Sequence, residues 1–148
     1  MREVKINLSD AMPLIEEKLA SGEEVLFSPT GTSMLPTIRQ GRDTVVLVSP
    51  PKRLRKYDIA MYKRENGQYV LHRVIKCKET YTFTGDNQYF DEKNIDHGQI
   101  IALCSAYIRD GKRVELDSFS CRMSARLRLY TRPLRRVVRK LIRLIKKR

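Results

Sequence analysis

The 148-residue sequence predicts a mainly β domain, coiled or barrel-like, with a short N-terminal helix and a basic amphipathic helix at its C-terminus. Three observations predict it. Short runs of β-branched and aromatic residues recur at close intervals. Asn66-Gly67 and Asp110-Gly111 each stand between two such runs, the strongest short hairpin signal. Beyond residue 134 the two-residue alternation gives way to helical spacing.

Taken in order, Ser9 or Asp10 is suited to cap a first helix, with Glu16 and Glu17 near its start and Gly22 as its stop. Ala11, Met12, Ile15 and Leu19 fall at roughly helical spacing, and Pro13 lies where the first turn tolerates it. Strands follow at Val25–Phe27 and over 44–48 (TVVLV). Residues 58–63 and 68–75 flank Asn66-Gly67, and Val70, His72 and Val74 share one face of the second strand by its two-residue period. Tyr81 and Phe83 alternate with threonines in a half-buried strand. A second hairpin spans 99–108 and 113–116. From Leu134, an apolar stripe of Val137, Val138, Leu141, Ile142 and Ile145 stands opposite Arg135, Arg136, Arg139, Lys140, Arg143, Lys146 and Lys147.

Charge divides the chain. The net charge is +13, yet residues 122–148 hold twelve Arg or Lys and no acid; the remaining 18 basic residues stand against 17 acidic ones. The expected organisation is therefore a near-neutral domain over 1–121 and a basic appendage over 122–148. Cys77, Cys104 and Cys121 are odd in number without C-x-x-C spacing, which reads as free thiols in a reducing compartment. The start, MREVKINLSD, lacks the apolar core of a secretory signal, and no run approaches the roughly 20 apolar residues of a membrane span. The expected location is the cytoplasm.

Three features carry chemistry. Gly31-Thr32-Ser33-Met34-Leu35-Pro36 places a serine hydroxyl on a tight turn between glycine and proline. His72 is one of two histidines and stands on a strand face. Gly85-Asp86-Asn87, followed by Asp91, is a loop with two carboxylates. Each has a plain structural explanation when taken alone.

Together, GTSMLP, YDIAMYK, VLHRVI and FTGDNQYFD resemble, in order, four motifs of the type I signal peptidases, S24/S26-like serine peptidases, over about residues 25–106. A histidine at position 72, where the common bacterial branch has lysine, resembles the archaeal and endoplasmic-reticulum branch. The resemblance implies a signal-peptidase/LexA-like coiled β-barrel and an endopeptidase that needs no metal or organic cofactor. It makes Ser33 the nucleophile, since a serine hydroxyl needs an adjacent base at neutral pH, and His72 that base. It makes Asp91 the acid orienting His72, with Glu92 in competition, and Asp86 a structural or supporting acid. Met34, Leu35 and Pro36 become the expected substrate-binding residues, and the Ser33 N–H a contributor to the oxyanion hole.

The chain also departs from the pattern. Gly31 stands where many relatives carry a second serine, Tyr57 replaces a glycine, and Gly41-Arg42-Asp43 interrupts a Gly-Asp pair. The implied substrate is a peptide or protein precursor with small residues before the cut. The tail's expected partner is an anionic membrane surface, against a helix packed on the domain or a disordered basic tail; nucleic acid is disfavoured because aromatics do not interleave the charges. The rival readings are a self-cleaving repressor-type regulator, for which the 24 residues before Val25 leave no room for a helix-turn-helix unit, and an inactive module that binds membrane or nucleic acid.

Overall fold

The computed structural model describes residues 8–148; residues 1–7, part of the expected first domain, lie outside the described residues. Helix α1 (Leu8–Ala20) buries Met12, Ile15 and Leu19, one helical face, and ends where the Gly22 N–H reaches the Leu19 carbonyl at 3.0 Å. Ser9 and Asp10 lie within this helix instead of capping it, because Leu8 already packs against the core.

Eight strands follow: β1 (Val25–Phe27), β2 (Asp43–Val48), β3 (Ile59–Lys63), β4 (Tyr69–Cys77), β5 (Tyr81–Thr84), β6 (Glu92–Ile95), β7 (Ile100–Arg109) and β8 (Lys112–Glu115). They form one antiparallel sheet in the order β1-β2-β7-β3-β4-β5-β6, with β8 on β7. The mainly β expectation holds. Both Gly-containing pairs make hairpins. β7–β8 turns through Asp110-Gly111, both at positive φ as a two-residue hairpin loop requires. β3–β4 turns over residues 64–67, where the Gly67 N–H reaches the Arg64 carbonyl at 2.9 Å and Gly67 takes the positive φ. β6 is not legible in the sequence, since Glu-Lys-Asn-Ile shows no alternation.

Register shifts interrupt the β2–β7, β3–β7, β4–β5 and β5–β6 pairings. Such bulges bend and coil a sheet, so apolar residues are enclosed on both of its sides. Ile59 and Met61 of β3 pack with α1, Met34 and Ile38, while the alternate Ala60 and Tyr62 pack with Val74, Tyr81, Phe83 and Ile95. This explains the near-continuous apolar reading of β3, which is buried on both faces.

Past the sheet come α2 (Phe119–Tyr130) and α3 (Arg132–Lys146), joined at Thr131. The sequence reading anticipated the second and missed the first. α2 is capped by Ser118, whose hydroxyl accepts from the Cys121 N–H at 3.4 Å, and it crosses the boundary expected at residue 121. The three cysteines are free thiols, Cys104 fully enclosed and pushed up to about 12 by burial. No helix among the described residues is long and apolar enough to cross a membrane.

Candidate active site

Ser33 lies on the loop between β1 and β2, gripped from two directions. Gly31 sits at φ +92°, a left-handed conformation that favours glycine, and its N–H donates to Gln40 Oε1 at 2.7 Å. The backbone therefore accounts for the glycine found where a hydroxyl was expected. Behind Ser33, the buried Met34 and Ile38 root the loop in the core. The far end is tied by Asp43, whose carboxylate accepts from the Arg39 N–H at 2.8 Å and from Arg109 Nε at 2.7 Å, while Arg109 also donates to the Thr37 carbonyl at 3.0 Å. Burial works against the Asp43 charge, but the Arg109 and Arg42 guanidiniums outweigh it and hold the carboxyl well below its usual range.

The second grip comes from the loop after β5. Asn87 donates its N–H to the Ser33 carbonyl at 2.8 Å and its side-chain amide to the Thr32 carbonyl at 3.2 Å. Gly85 lies so close that a Cβ there would sit 2.6 Å from the Ser33 carbonyl oxygen. Asp86, nearly fully buried, takes a bidentate pair from Arg73 at 2.8 and 2.9 Å and accepts from the Thr37 hydroxyl. Arg73 donates once more, to the Tyr57 carbonyl at 2.8 Å. Tyr57, standing where the motif has glycine, is held at φ +79°. A bulky residue there carries about 1 kcal/mol of strain.

His72 is opposite Ala60 in the β3–β4 register and only 2% exposed. Its Nδ1 lies 3.2 Å from the Tyr62 hydroxyl and 3.8 Å from Glu92 Oε1. Glu92 is clamped by Arg64, at 3.0 Å from Nε, and its charge acts on both Tyr62 and His72. The phenol has one proton. Directed at Glu92, it leaves the Tyr62 oxygen to accept from Nδ1–H with the Nε2 lone pair free; directed at Nδ1, it puts the ring hydrogen on Nε2. Burial pushes the imidazole down to about 4, opposed by the Glu92 and Asp86 charges and reinforced by Arg64, so His72 is a neutral base at pH 7. Burial and Glu92 push the Tyr62 phenol well up; for Glu92, Arg64 and Tyr62 overcome the effect of burial and keep the carboxyl below its usual value.

Ser33 shares a cleft of about 130 Å³ with Gly31, Met34, Tyr69 and Leu71. Along β4 successive side chains alternate, so Leu71 meets this cleft while His72 turns to the Tyr62 side. No hydrogen bond joins Ser33 Oγ to His72 among the described residues, and the Ser33 N–H and Oγ have no partner there. Both residues flank one strand edge. β5 pairs with β4 only from Arg73 onward, so β5 leaves that edge uncovered at 69–72.

The acids fall differently from the sequence reading. Asp91 is taken by Arg132 of α3 at 2.8 Å, and the carboxylate beside His72 is Glu92, the competitor one position on. The reason is alternation at the start of β6: Glu92 opposes Phe83, next to Tyr62, while Asp91 precedes the strand. Of the expected substrate-binding residues, Met34 is core and floors the cleft, Leu35 is half-buried, and Pro36 lines a separate cavity beside α2. Tyr62, Asn87 and Asp43 went unassigned in the sequence. Only Tyr62 carried a signal, being a polar aromatic four positions before Asn66, opposite Val70 and so on the same face of the hairpin as His72.

A family model described as Peptidase S24-like matches residues 2–118. The chain belongs to that family. No curated protein and no solved structure matches it.

Proposed function

We propose that this member of the Peptidase S24-like family is a serine endopeptidase that removes a leader or signal-like segment from a peptide precursor. Ser33 is its nucleophile, His72 its general base, and Glu92 acts on His72 through Tyr62. The observation that carries this reading is the paired anchoring of one strand. Arg73 and Asp86 tie the serine loop to β4 through Thr37, and the preceding residue, His72, is held with its Nδ1 3.2 Å from the Tyr62 hydroxyl.

In this mechanism the substrate lies extended along the uncovered edge at 69–72, adding a strand. The cleft beside Ser33 has room for about four waters, which suits a small side chain before the cut. Ser33 Oγ attacks the scissile carbonyl carbon as its proton passes to His72 Nε2, and the oxyanion accepts from the Ser33 N–H. Collapse expels the amine, which takes the proton from Nε2 and leaves an acyl-serine. Water then attacks the ester, giving one proton to Nε2. As the ester C–O bond breaks, Nε2 returns that proton to Ser33 Oγ, and the acid product leaves as carboxylate, its remaining proton going to solvent. Throughout, Glu92 balances the imidazolium through the Tyr62 hydroxyl. Ser33 Oγ and His72 Nε2 must meet around the strand edge, which asks the Asn87 bonds to the Ser33 and Thr32 carbonyls to give way on substrate binding while Asp86 keeps Thr37.

The separation of Ser33 from His72 and the low basicity of the buried imidazole favour a second reading, a non-catalytic module of the same fold. Turnover of a labelled leader peptide by wild type, Ser33→Ala and His72→Ala decides between them. The peptidase reading expects a loss of about 10³-fold or more in each variant. Equal turnover by all three assigns the activity to a contaminant and leaves the module.

A further inference from the structure

Fourteen large apolar side chains are exposed among the described residues, and eleven of them belong to α2 and α3. On α2 they are Phe119, Met123, Leu127 and Tyr130, 45–85% exposed, at the i, i+4, i+8 and i+11 spacing of one helical face. The opposite face is the one that packs, through the buried Ala125. On α3, residues from Leu134 to Ile145 are exposed by 45–73% and fill an arc of about 160° at 100° per residue. The sheet domain does not cover either stripe.

Cationic side chains hold α3 to the domain. Arg132 pairs with Asp91 at 2.8 Å and donates to the Thr84 hydroxyl at 3.2 Å. Arg139 donates to Asn87 Oδ1 at 3.1 Å and lies over the Tyr89 ring, 5.1 Å from its centroid. The flank that touches the domain is therefore charged, and the apolar arc points away from it. Monomeric proteins rarely expose apolar surface so concentrated unless something covers it.

We infer that the occupant is an anionic lipid surface, in which α2 and α3 lie with their stripes inserted. Charge complementarity selects it. Exposed Lys146 borders the α3 arc on one side and Lys140 and Lys147 on the other, as suits headgroups around a buried stripe. A second copy of the chain is disfavoured, because residues 122–148 carry twelve positive charges and no acid, so stripe-to-stripe pairing brings like charges together. A nucleic acid would use the cations and leave the stripes uncovered. Asn87, which donates to the Ser33 and Thr32 carbonyls, also accepts from Arg139; the inserted helix thus carries the serine loop to the lipid surface.

The test is flotation of the full chain with vesicles of phosphatidylcholine alone or mixed with phosphatidylglycerol, at constant salt. Wild type is expected to float with the mixed vesicles only. Replacing the stripe residues together (L141S, I142S and I145S) is expected to abolish flotation, and the α2 set (M123S and L127S) to weaken it. Neutralising Arg136, Lys140 and Arg143 with glutamine is expected to lower binding by about a hundredfold. Far-ultraviolet circular dichroism and melting establish that each variant keeps its fold. Ser33→Ala floats like wild type, so failure of the peptidase reading leaves this result untouched. The inference is overturned if wild type floats with neither vesicle. It is equally overturned if the stripe variant floats as well as wild type while the glutamine variant does not, which marks a plain polyanion surface. A vesicle-independent dimer dissolved by the stripe substitutions, with no flotation, assigns the stripes to a second copy instead.

Discussion

His72 and Arg73 are neighbours on β4, yet the pleat turns them to opposite sides of the sheet, and each meets its own carboxylate in a different way. Arg73 meets Asp86 directly, as a buried bidentate pair that also holds Thr37 and Tyr57. His72 meets the Tyr62 hydroxyl at 3.2 Å, with the Glu92 carboxylate 3.8 Å away and already engaged by Arg64. A direct, fully satisfied pair fixes geometry. An indirect one leaves the imidazole neutral and one ring nitrogen uncommitted. The same strand thus supplies a clamp on one side and a base on the other, and the difference lies in how far each basic group stands from its acid.

The clamp side should break hardest. Asp86→Ala leaves the Arg73 guanidinium buried without its partner and is expected to cost about 3–5 kcal/mol. Urea unfolding measures it, and a loss under about 1 kcal/mol would show that Asp86 is not the keystone of that side. The base side should instead show itself through pH. An imidazole at about 4 in the fold and about 6.5 unfolded binds fewer protons when folded. Its contribution is complete above pH 6.5 and disappears as pH falls to about 4, a span of about 3 kcal/mol. Stability of wild type should therefore drop across that window more steeply than that of His72→Gln, with Glu92, Arg64 and Asp86 the charges around the ring. Parallel curves would contradict a neutral buried His72.

Smaller changes sharpen the contrast. Gly85→Ala forces a methyl against the Ser33 carbonyl, 2.6 Å away, and should cost about 1–3 kcal/mol while displacing the serine loop. A peptidase that kept full kcat/KM in this variant would not depend on that contact. Tyr62→Phe removes the relay but keeps the ring packed on Phe83 at 4.4 Å; kcat/KM should fall about tenfold with little loss of stability. An unchanged kcat/KM would sever Glu92 from the chemistry. Tyr57→Gly relieves a left-handed φ of +79° and should leave Tm unchanged or raised, by up to about 1 kcal/mol in stability, because the Arg73 bond goes to its backbone carbonyl.

Much of this was legible before any coordinates. The Asn66-Gly67 and Asp110-Gly111 turns, the β-branched run over 44–48 and the single face of Val70, His72 and Val74 are all local patterns, and all appear in the fold. β6 was not legible, because its four residues acquire their strand geometry from pairing with β5 and not from their own preferences. α2 was hidden because its stripe faces outward and its packing side offers one alanine. The acid near His72 could be narrowed to Asp91 or Glu92, but no local rule says which of two adjacent carboxylates a coiled sheet turns inward.

By itself the sequence determined the mainly β class, the hairpins, the charge division at the C-terminus and the motif residues Ser33, His72 and Asp86, since turns and periodicity depend on residues only a few positions apart. The tertiary structure alone decided that Glu92 stands beside His72, that Arg73 claims Asp86, and that the α2 and α3 stripes point away from the sheet. Those outcomes depend on register and bulges in strands far apart in the chain. A shift of one residue in the pairing of β4 with β3 and β5 would exchange the two sides of β4, and with them the places of His72 and Arg73.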